Sequence, residues 1–388
     1  MKIGFFTDGY LPQLNGVATS VDSWTKELEK LGHEVYILAP KYPNYKDRDN
    51  VIRLSSIRVL KQPDIRLAGF LPIKSMVEIS KIKFDIIHGL SGGTVSSLGL
   101  IVARLKKIPY VFTYYTRWNH FTHYFFKGKL ISPKIVEKAS RIFCNRCNCI
   151  IVPARKIKDE LISFGVKKPI VVIPSGVDLT KFKKQEKGFL RKKTGIKKEK
   201  ILLYIGRLEK EKSVDFLLKT FEKIYLEDSN VNLVLIGDGK EEAKLKELAK
   251  KLKIEKNVYF AGLIGRDKIN KVFADAEIFV FASTTETQGM VILEALASGL
   301  PVVAVNDPVY EGVIQNKING VLVEPDVKQF AKACLDILSN PKERERLSDS
   351  AIKSMHNFSL SQTAKSFEKL YKNLISGYNK GDFYGTRI

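Results

Sequence analysis

The sequence predicts an α/β protein of two doubly wound parallel-sheet domains, and three observations lead there. Short apolar runs bounded by Gly, Pro and Asp alternate with amphipathic stretches along the chain, the grammar of strand, crossover helix and strand. At 388 residues with 44% hydrophobic side chains, the chain exceeds what one ordinary core holds and suits two domains of comparable size. A Lys-rich, hydrophobe-poor stretch from about Thr180 to Lys200 interrupts the pattern with the composition of a solvated junction. Residues 1–180 and 181–357 are therefore expected to form separate domains, with a ligand cleft between them.

In order, the first half offers the strands KIGFFTD, HEVYILAP, FDIIHGL, PYVFTYY and CNCIIVPA, with a helix across VDSWTKELEKLG after the first. The second half offers ILLYIGR, NVNLVLIGDG, NVYFAG, AEIFVFAS, LPVVAV and GVLVEP, each followed by helical sequence. After Pro325 the chain reads as helical, with a last helix around Ser361 to Ile375 and a frayed tail GYNKGDFYGTRI. The N-terminus lacks the apolar core of a secretory signal, and no stretch approaches the ~20 apolar residues of a membrane span, so a cytoplasmic protein is expected. A formal charge of +23 asks for an anionic partner: nucleic acid, an anionic membrane surface or phosphate-bearing substrates. Cys144, Cys147 and Cys149 cluster, but zinc wants four ligands and no second Cys/His pair follows, so reduced, half-buried thiols and no metal are expected.

The segment with the most chemical content runs from Ser283 to Ala304. The strand FVFAS ends in a polar turn with Gly289, and an apolar helix then runs to the stop signal Gly299 and Pro301. In parallel α/β sheets the ligand crevice lies at the carboxyl ends of strands. The helix start there offers free N–H groups and a positive dipole end to hydroxyls or phosphate. Glu286 in the turn and Glu294 one turn into the helix are placed to reach the same crevice, and carboxylates accept from the paired hydroxyls of a sugar or ribose. A carboxylate among Val291, Ile292, Leu293, Ala295, Leu296 and Ala297 is hard to explain as a solvated surface residue. Asp238 and the glycines of LVLIGDG lack the third glycine of a dinucleotide fingerprint and read as a strand-to-helix turn near the cleft.

A Glu, seven residues, a second Glu and a helix ending in Gly-x-Pro-Val-Val-Ala resemble the donor-binding signature of the retaining glycosyltransferases of family 4. FFTDGYLPQLNGVATSV, VVIPSGVD, YIGRLEKEK, LVLIGDG and VYFAG extend the resemblance over nearly the whole chain. It implies the GT-B fold, two Rossmann-like domains facing across a cleft, with a C-terminal helix crossing back so that 358–388 joins 1–180. It further implies that Arg207 and Lys212 hold the donor pyrophosphate and stabilise the charge of the leaving group, in a family that normally works without a metal. Glu294 would accept from the ribose and Glu286 from the hexose. The N–H groups of Gly289, Met290 and Val291 would face sugar and phosphate oxygens, and the base would stack near Gly262, Leu263 and Ile264. Gly16 would let the backbone approach phosphate or acceptor. A front-face displacement is the implied mechanism, with a nucleotide-sugar co-substrate, a UDP-sugar by expectation, and no further cofactor.

TYYTRWNHFTHYFFKGK resembles the loop that in diacylglycerol glucosyltransferases carries a histidine in a T-Y-H-T pattern. Here that position is Tyr115, while His123, followed by Tyr124, keeps the second histidine and His120 lies nearby; each is able to hydrogen-bond sugar or acceptor. Between Lys61 and Lys83, cations mix with Leu67, Phe70, Leu71, Ile73, Met76 and Val77, and Arg104, Lys106, Lys107, Lys127, Lys129 and Lys134 add charge to the same domain. Such a stretch fits either a membrane interface or a loop and helix packed on the sheet. The expectation is glucose transfer from UDP-glucose to a lipid such as diacylglycerol, by a protein peripheral on the inner face of the cell membrane. The alternatives are a soluble or polysaccharide acceptor and, more remotely, nucleic-acid binding, against which stand the spread of basic residues over both domains and the lack of any RNP, zinc-finger or helix-turn-helix signature.

Overall fold

The computed structural model describes residues 1–13, 16–59, 62–69, 73–115, 117, 132–183, 185–197 and 199–379. The chain divides into two compact units, Met1–Ser175 with Leu360–Ile388, and Gly176–Ser359.

Unit 1 carries β1 (Lys2–Thr7), β2 (Glu34–Pro40), β3 (Val51–Leu54), β4 (Ser56–Val59), β5 (Gln62–Ala68), β6 (Ile86–Leu90), β7 (Tyr110–Thr113), β8 (Cys149–Val152) and β9 (Ile170–Val172). Its helices are α1 (Gly16–Lys30), α2 (Ile73–Lys81), α3 (Thr94–Lys106), α4 (Pro133–Cys144) and α5 (Arg155–Ser163). Seven strands pair in the order β3-β2-β1-β6-β7-β8-β9, all parallel. Such strands bury both faces beneath crossover helices, which is why IIHGL and YVFT read as unbroken apolar runs and every one of their residues is buried.

Unit 2 carries β10 (Lys200–Ile205), β11 (Val231–Ile236), β12 (Val258–Gly262), β13 (Ile278–Phe281), β14 (Val302–Val305) and β15 (Gly320–Val323). Its helices are α6 (Phe189–Thr194), α7 (Val214–Glu227), α8 (Glu242–Lys251), α9 (Ile269–Val272), α10 (Met290–Ala297), α11 (Val327–Ser339) and α12 (Pro341–Ser354). The sheet order is β12-β11-β10-β13-β14-β15, again all parallel. In both sheets the strand order reverses beside the first strand, β1 or β10, the switch point at which such sheets bind ligands.

The last helix, α13 (Leu360–Asn379), packs in unit 1, as the resemblance implies. Phe367 meets Trp24 edge to face at 5.1 Å between ring centres. Tyr371 Oη and His88 Nδ1 lie 2.6 Å apart, and His88 Nε2 lies 2.5 Å from Thr113 Oγ1. With both ring nitrogens engaged inside the protein, burial pushes the imidazole down to about 3.

Two segments depart from the sequence reading. The Lys-rich stretch after Thr180 is part of unit 2 and is no solvated junction: Phe182, Leu190 and Ile196 are buried, and Asp275 accepts from the backbone N–H groups of Gly188, Leu190 and Arg191. Few apolar residues suffice when each is buried and a carboxylate caps the helix start. The basic segment after Val59 contains a strand: β4 and β5 form an antiparallel hairpin with Ile57 opposite Leu67 and Arg58 opposite Arg66.

Candidate active site

Unit 2 brings four of the expected residues to the carboxyl ends of β10 and β13, the strands on either side of its switch point. After β10 the chain passes Gly206 and Arg207 into a short turn of helix at Lys210–Lys212. After β13 it passes Ser283 to Glu286 and enters α10 through Gly289. The two loops are stitched together, since the hydroxyls of Ser283 and Thr285 donate to Glu211 O at 3.4 and 3.3 Å. Lys212 Nζ donates to Glu286 Oε1 at 2.5 Å, with both side chains largely buried. A half-buried, charge-assisted contact of this kind fixes both groups in orientation. Tyr310 Oη donates to Ser283 O at 2.6 Å and holds the β13 loop from beneath.

Arg207 is held through its backbone. Tyr204 Oη donates to Arg207 O at 3.0 Å, Leu208 N donates to Asp238 O at 2.7 Å and Glu241 N to Leu208 O at 3.0 Å. This close approach explains GDG. A Cβ on Gly237, whose φ is +135°, would lie 1.9 Å from Gly206 O, and one on Gly239 would lie 2.2 Å from Leu208 O. The glycines serve loop packing, so the missing third glycine of the dinucleotide pattern is immaterial. The guanidinium of Arg207 is half-exposed and pairs with Glu211 at 3.0 Å.

Gly289 sits at φ +74° before α10, which has no side-chain cap. The N–H groups at Gly289, Met290 and Val291 thus lie where a helix start leaves donors without intrahelical acceptors. Glu294, one turn on, is 8% exposed at its side chain and receives Arg266 Nη1 at 2.6 Å. Burial raises the Glu294 carboxyl above the ordinary range, opposed by Arg266 and by Lys181. Gly262 at φ +69° turns the chain out of β12; Leu263 is 70% exposed and Ile264 half-buried, an apolar ledge next to Arg266.

Sequence reasoning missed Arg266, Glu211 and Tyr310. Arg266 lies only two residues beyond the ledge it did identify, and its position after β12 was the available signal. Gly16 begins α1, and an added Cβ there would meet no described atom within 4 Å. Tyr115 stacks on Trp24 at 5.7 Å and receives Ser175 Oγ at 3.4 Å; burial raises its phenol. His120 and His123 lie outside the described residues, as do Lys61, Phe70, Leu71, Lys127 and Lys129. Cys144, Cys147, Cys149 and Cys334 are buried free thiols, and among the described residues no His, Cys, Asp or Glu group is arranged to hold a metal.

Residues 14–181 match the family described as Glycosyltransferase Family 4, and residues 186–354 match Glycosyl transferases group 1. The alpha-monoglucosyldiacylglycerol synthase of Streptococcus pneumoniae is 38% identical over 83% of this chain and 75% of its own length. The synthase of the same name from Acholeplasma laidlawii is 32% identical over 98% of this chain and 99% of its own. Among solved structures, Anabaena HepE in complex with UDP and glucose superposes with a TM-score of 0.77 over 96% of this chain and 100% of that one, at 17% identity, a likeness of fold.

Proposed function

This chain belongs to the family 4 glycosyltransferases of GT-B fold, and from that premise we propose that it transfers glucose from UDP-glucose to the free hydroxyl of diacylglycerol with retention at the anomeric carbon. The observation that carries the donor half is the meeting of Lys212 with Glu286 and of Arg266 with Glu294 around the start of α10. The acceptor half rests on the two relatives named for monoglucosyldiacylglycerol synthesis.

In this reading Glu294 accepts from the ribose hydroxyls through its second oxygen, and the base lies on Leu263 and Ile264. Glu286, oriented by Lys212, accepts from the hexose. Arg207 and the remaining protons of Lys212 take the pyrophosphate, joined by the free N–H groups of Gly289, Met290 and Val291. As the bond between the anomeric carbon and the phosphate oxygen breaks, charge builds on the diphosphate, and fixed cations stabilise it most at that moment. The acceptor hydroxyl attacks from the same face, its oxygen bonds to the anomeric carbon, and its proton passes to the leaving phosphate oxygen. No metal is required, because the chain's own cations carry that duty. Tyr115, held against Trp24, is assigned to the acceptor side together with His120 and His123, with His123 as the histidine that serves the reaction; Gly16, where an added Cβ would meet no described atom, is assigned to the approach of acceptor or phosphates.

A diacylglycerol acceptor requires a lipid surface, and we place the protein peripherally on the inner face of the cell membrane. No described helix is long and apolar enough to cross a membrane. Ile57 and Leu67, opposite one another on the β4–β5 hairpin, are 71% and 48% exposed, with Arg58 and Arg66 at the neighbouring pair. On α4, Ile135 and Ile142 are exposed among Lys134, Lys138 and Arg141. Apolar side chains among cations suit an anionic interface.

The deciding experiment offers a panel of nucleotide sugars with diacylglycerol in mixed micelles and reads the product anomer by NMR. An α-glucosyl diacylglycerol formed from UDP-glucose is expected. Transfer only to soluble glucans, or a β-linked product, would remove the proposal.

A further inference from the structure

Arg53 stands one residue from the end of β3, at the carboxyl edge of the unit 1 sheet, and its guanidinium gathers three separate segments there. Nε and Nη2 donate side by side to Asp47 Oδ2 and Oδ1 at 2.9 and 2.6 Å. Nη1 donates to Pro40 O, at the end of β2, at 2.8 Å, and Nη2 donates also to Leu11 O, in the loop after β1, at 2.5 Å. The rings of Tyr10, Tyr42 and Tyr45 are centred 5.5, 5.8 and 5.7 Å from its central carbon, within the ~6 Å over which a ring face attracts a cation. The side chain is 10% exposed.

Taking an ion pair out of water costs about as much as the pair returns, so Arg53 and Asp47 add little to stability and instead fix geometry. What they fix is the loop after β1. That strand is the switch point of the sheet, where doubly wound folds bind ligands, and the loop leads from it to Gly16 and α1. Arg53 holds the loop at Leu11 O and at the ring of the buried Tyr10, whose Oη donates to Asp22 Oδ1 on α1 at 3.3 Å. The same residue adjoins the hairpin, since Leu54 and Ser55 lead from it directly into β4. Arg66 on β5 lies over Tyr42 at 5.7 Å and donates to Ser56 Oγ at 2.9 Å, which donates in turn to Lys41 O at 2.6 Å. The ring of Tyr42 is thus shared by two guanidiniums, one from the sheet and one from the hairpin. An acceptor seated in a lipid surface presents its hydroxyl at a set depth, so the loop that receives it and the hairpin that meets the surface must keep a set spacing.

We propose that Arg53 is a positioning residue for the acceptor: with Asp47 and Tyr42 it locks the loop between β1 and α1 to the β4–β5 hairpin, and so sets where the lipid hydroxyl stands. The inference rests on the lipid-acceptor reading above. Arg53 acts through Leu11 and Tyr10. Lysine cannot stand in for it, because one ammonium does not span a bidentate carboxylate and two carbonyls at once.

The test compares Arg53→Met and Arg53→Lys with the unaltered full-length protein by three measurements. These are kcat/KM for diacylglycerol in mixed micelles at saturating UDP-glucose, UDP affinity by calorimetry, and hydrogen exchange at the amides of Gly9 and Gln13, which are bonded to Thr7 Oγ1 and Tyr10 O. In Arg53→Met the acceptor kcat/KM is expected to fall about tenfold or more and the two amides to exchange faster, with Arg53→Lys between. UDP affinity is expected to stay the same, because the donor residues lie in unit 2; a merely structural loss would lower both. Unchanged exchange at the two amides, faster exchange with an unaltered acceptor kcat/KM, or equal losses for acceptor and UDP each overturns the positioning role. Should Arg53→Met fail to fold, Arg53→Lys carries the same comparison. Failure of the lipid reading shows separately, as no glucosylation of diacylglycerol by the unaltered protein, and exchange in the variants then still decides whether Arg53 holds the loop.

Discussion

Glu294 is caught between two opposed influences, burial that favours its neutral acid and the Arg266 guanidinium that favours its carboxylate. Only the carboxylate accepts from both ribose hydroxyls, so donor binding should rise with pH through a transition above the ordinary Glu value of ~4.3. Replacing Arg266 by Met removes the largest opposing influence, leaves Lys181 as the remaining cation that faces Glu294, and should shift the acid limb of kcat/KM for the donor to higher pH. Arg266→Lys should shift it less. An acid limb that stays in place in Arg266→Met would mean that Arg266 does not act through Glu294. Glu294→Ala should cost ~1.5–3 kcal/mol of donor binding, measured by titration with UDP; unchanged affinity refutes the ribose assignment. At this scale the sequence was half legible. Glu294 stands out as a carboxylate in apolar company and Glu286 by its place in the turn before the same helix, whereas Arg266 is one cation in a chain with 65 Lys and Arg, and its partner lies 28 residues away. No period or spacing marks a contact made by a loop.

Elements were more legible than their joints. Apolar runs located the core strands of both sheets because strands buried on both faces must be continuously apolar. β4 and β5, with Arg58 and Arg66 in register, lack that signature. The helix α13 shows how a joint creates a pH response. His88 is neutral in the folded state with its pKa pushed down to about 3, against ~6.5 when unfolded. Between those values the unfolded chain binds the extra proton, so this contribution is complete above pH ~6.5 and is lost as pH falls towards 3, on the order of 5 kcal/mol in all. Urea unfolding followed by tryptophan fluorescence at pH 7.5 and 5 should show that loss, and His88→Gln should be less stable at pH 7.5 with a flatter pH slope. An equal slope in the variant would assign the proton uptake to other groups. Gly237→Ala makes a matching test on unit 2. Its Cβ would collide with Gly206 O and displace the Arg207 loop, and a misplacement of ~1 Å is able to cost about 10²-fold in kcat/KM. Full activity in a folded Gly237→Ala protein would show that the approach of these loops is not needed.

Over the whole molecule, the charge of +23 was legible at once but its purpose was not, because charge alone fits nucleic acid, membrane and phosphate alike. The exposed pair Ile57 and Leu67 on the β4–β5 hairpin supports the proposed lipid interface, since a paired aliphatic surface has a use there and none against nucleic acid. Attraction of dispersed surface cations to an anionic bilayer acts over about one Debye length, roughly 10 Å at 0.1 M salt and 3 Å at 1 M, whereas insertion of apolar side chains is not screened by salt. The two contributions therefore separate by experiment. Co-sedimentation with anionic vesicles should be strong at low salt and fall steeply towards 1 M. Ile57→Ser/Leu67→Ser, which leaves every charge in place, should weaken binding by a similar factor at all salt concentrations, because about 25 cal/mol is lost for each Å² of apolar surface no longer buried. If the double variant binds as tightly as the unaltered protein, the hairpin does not enter the bilayer; if neutral and anionic vesicles bind equally well, the charge does not steer the protein to the membrane.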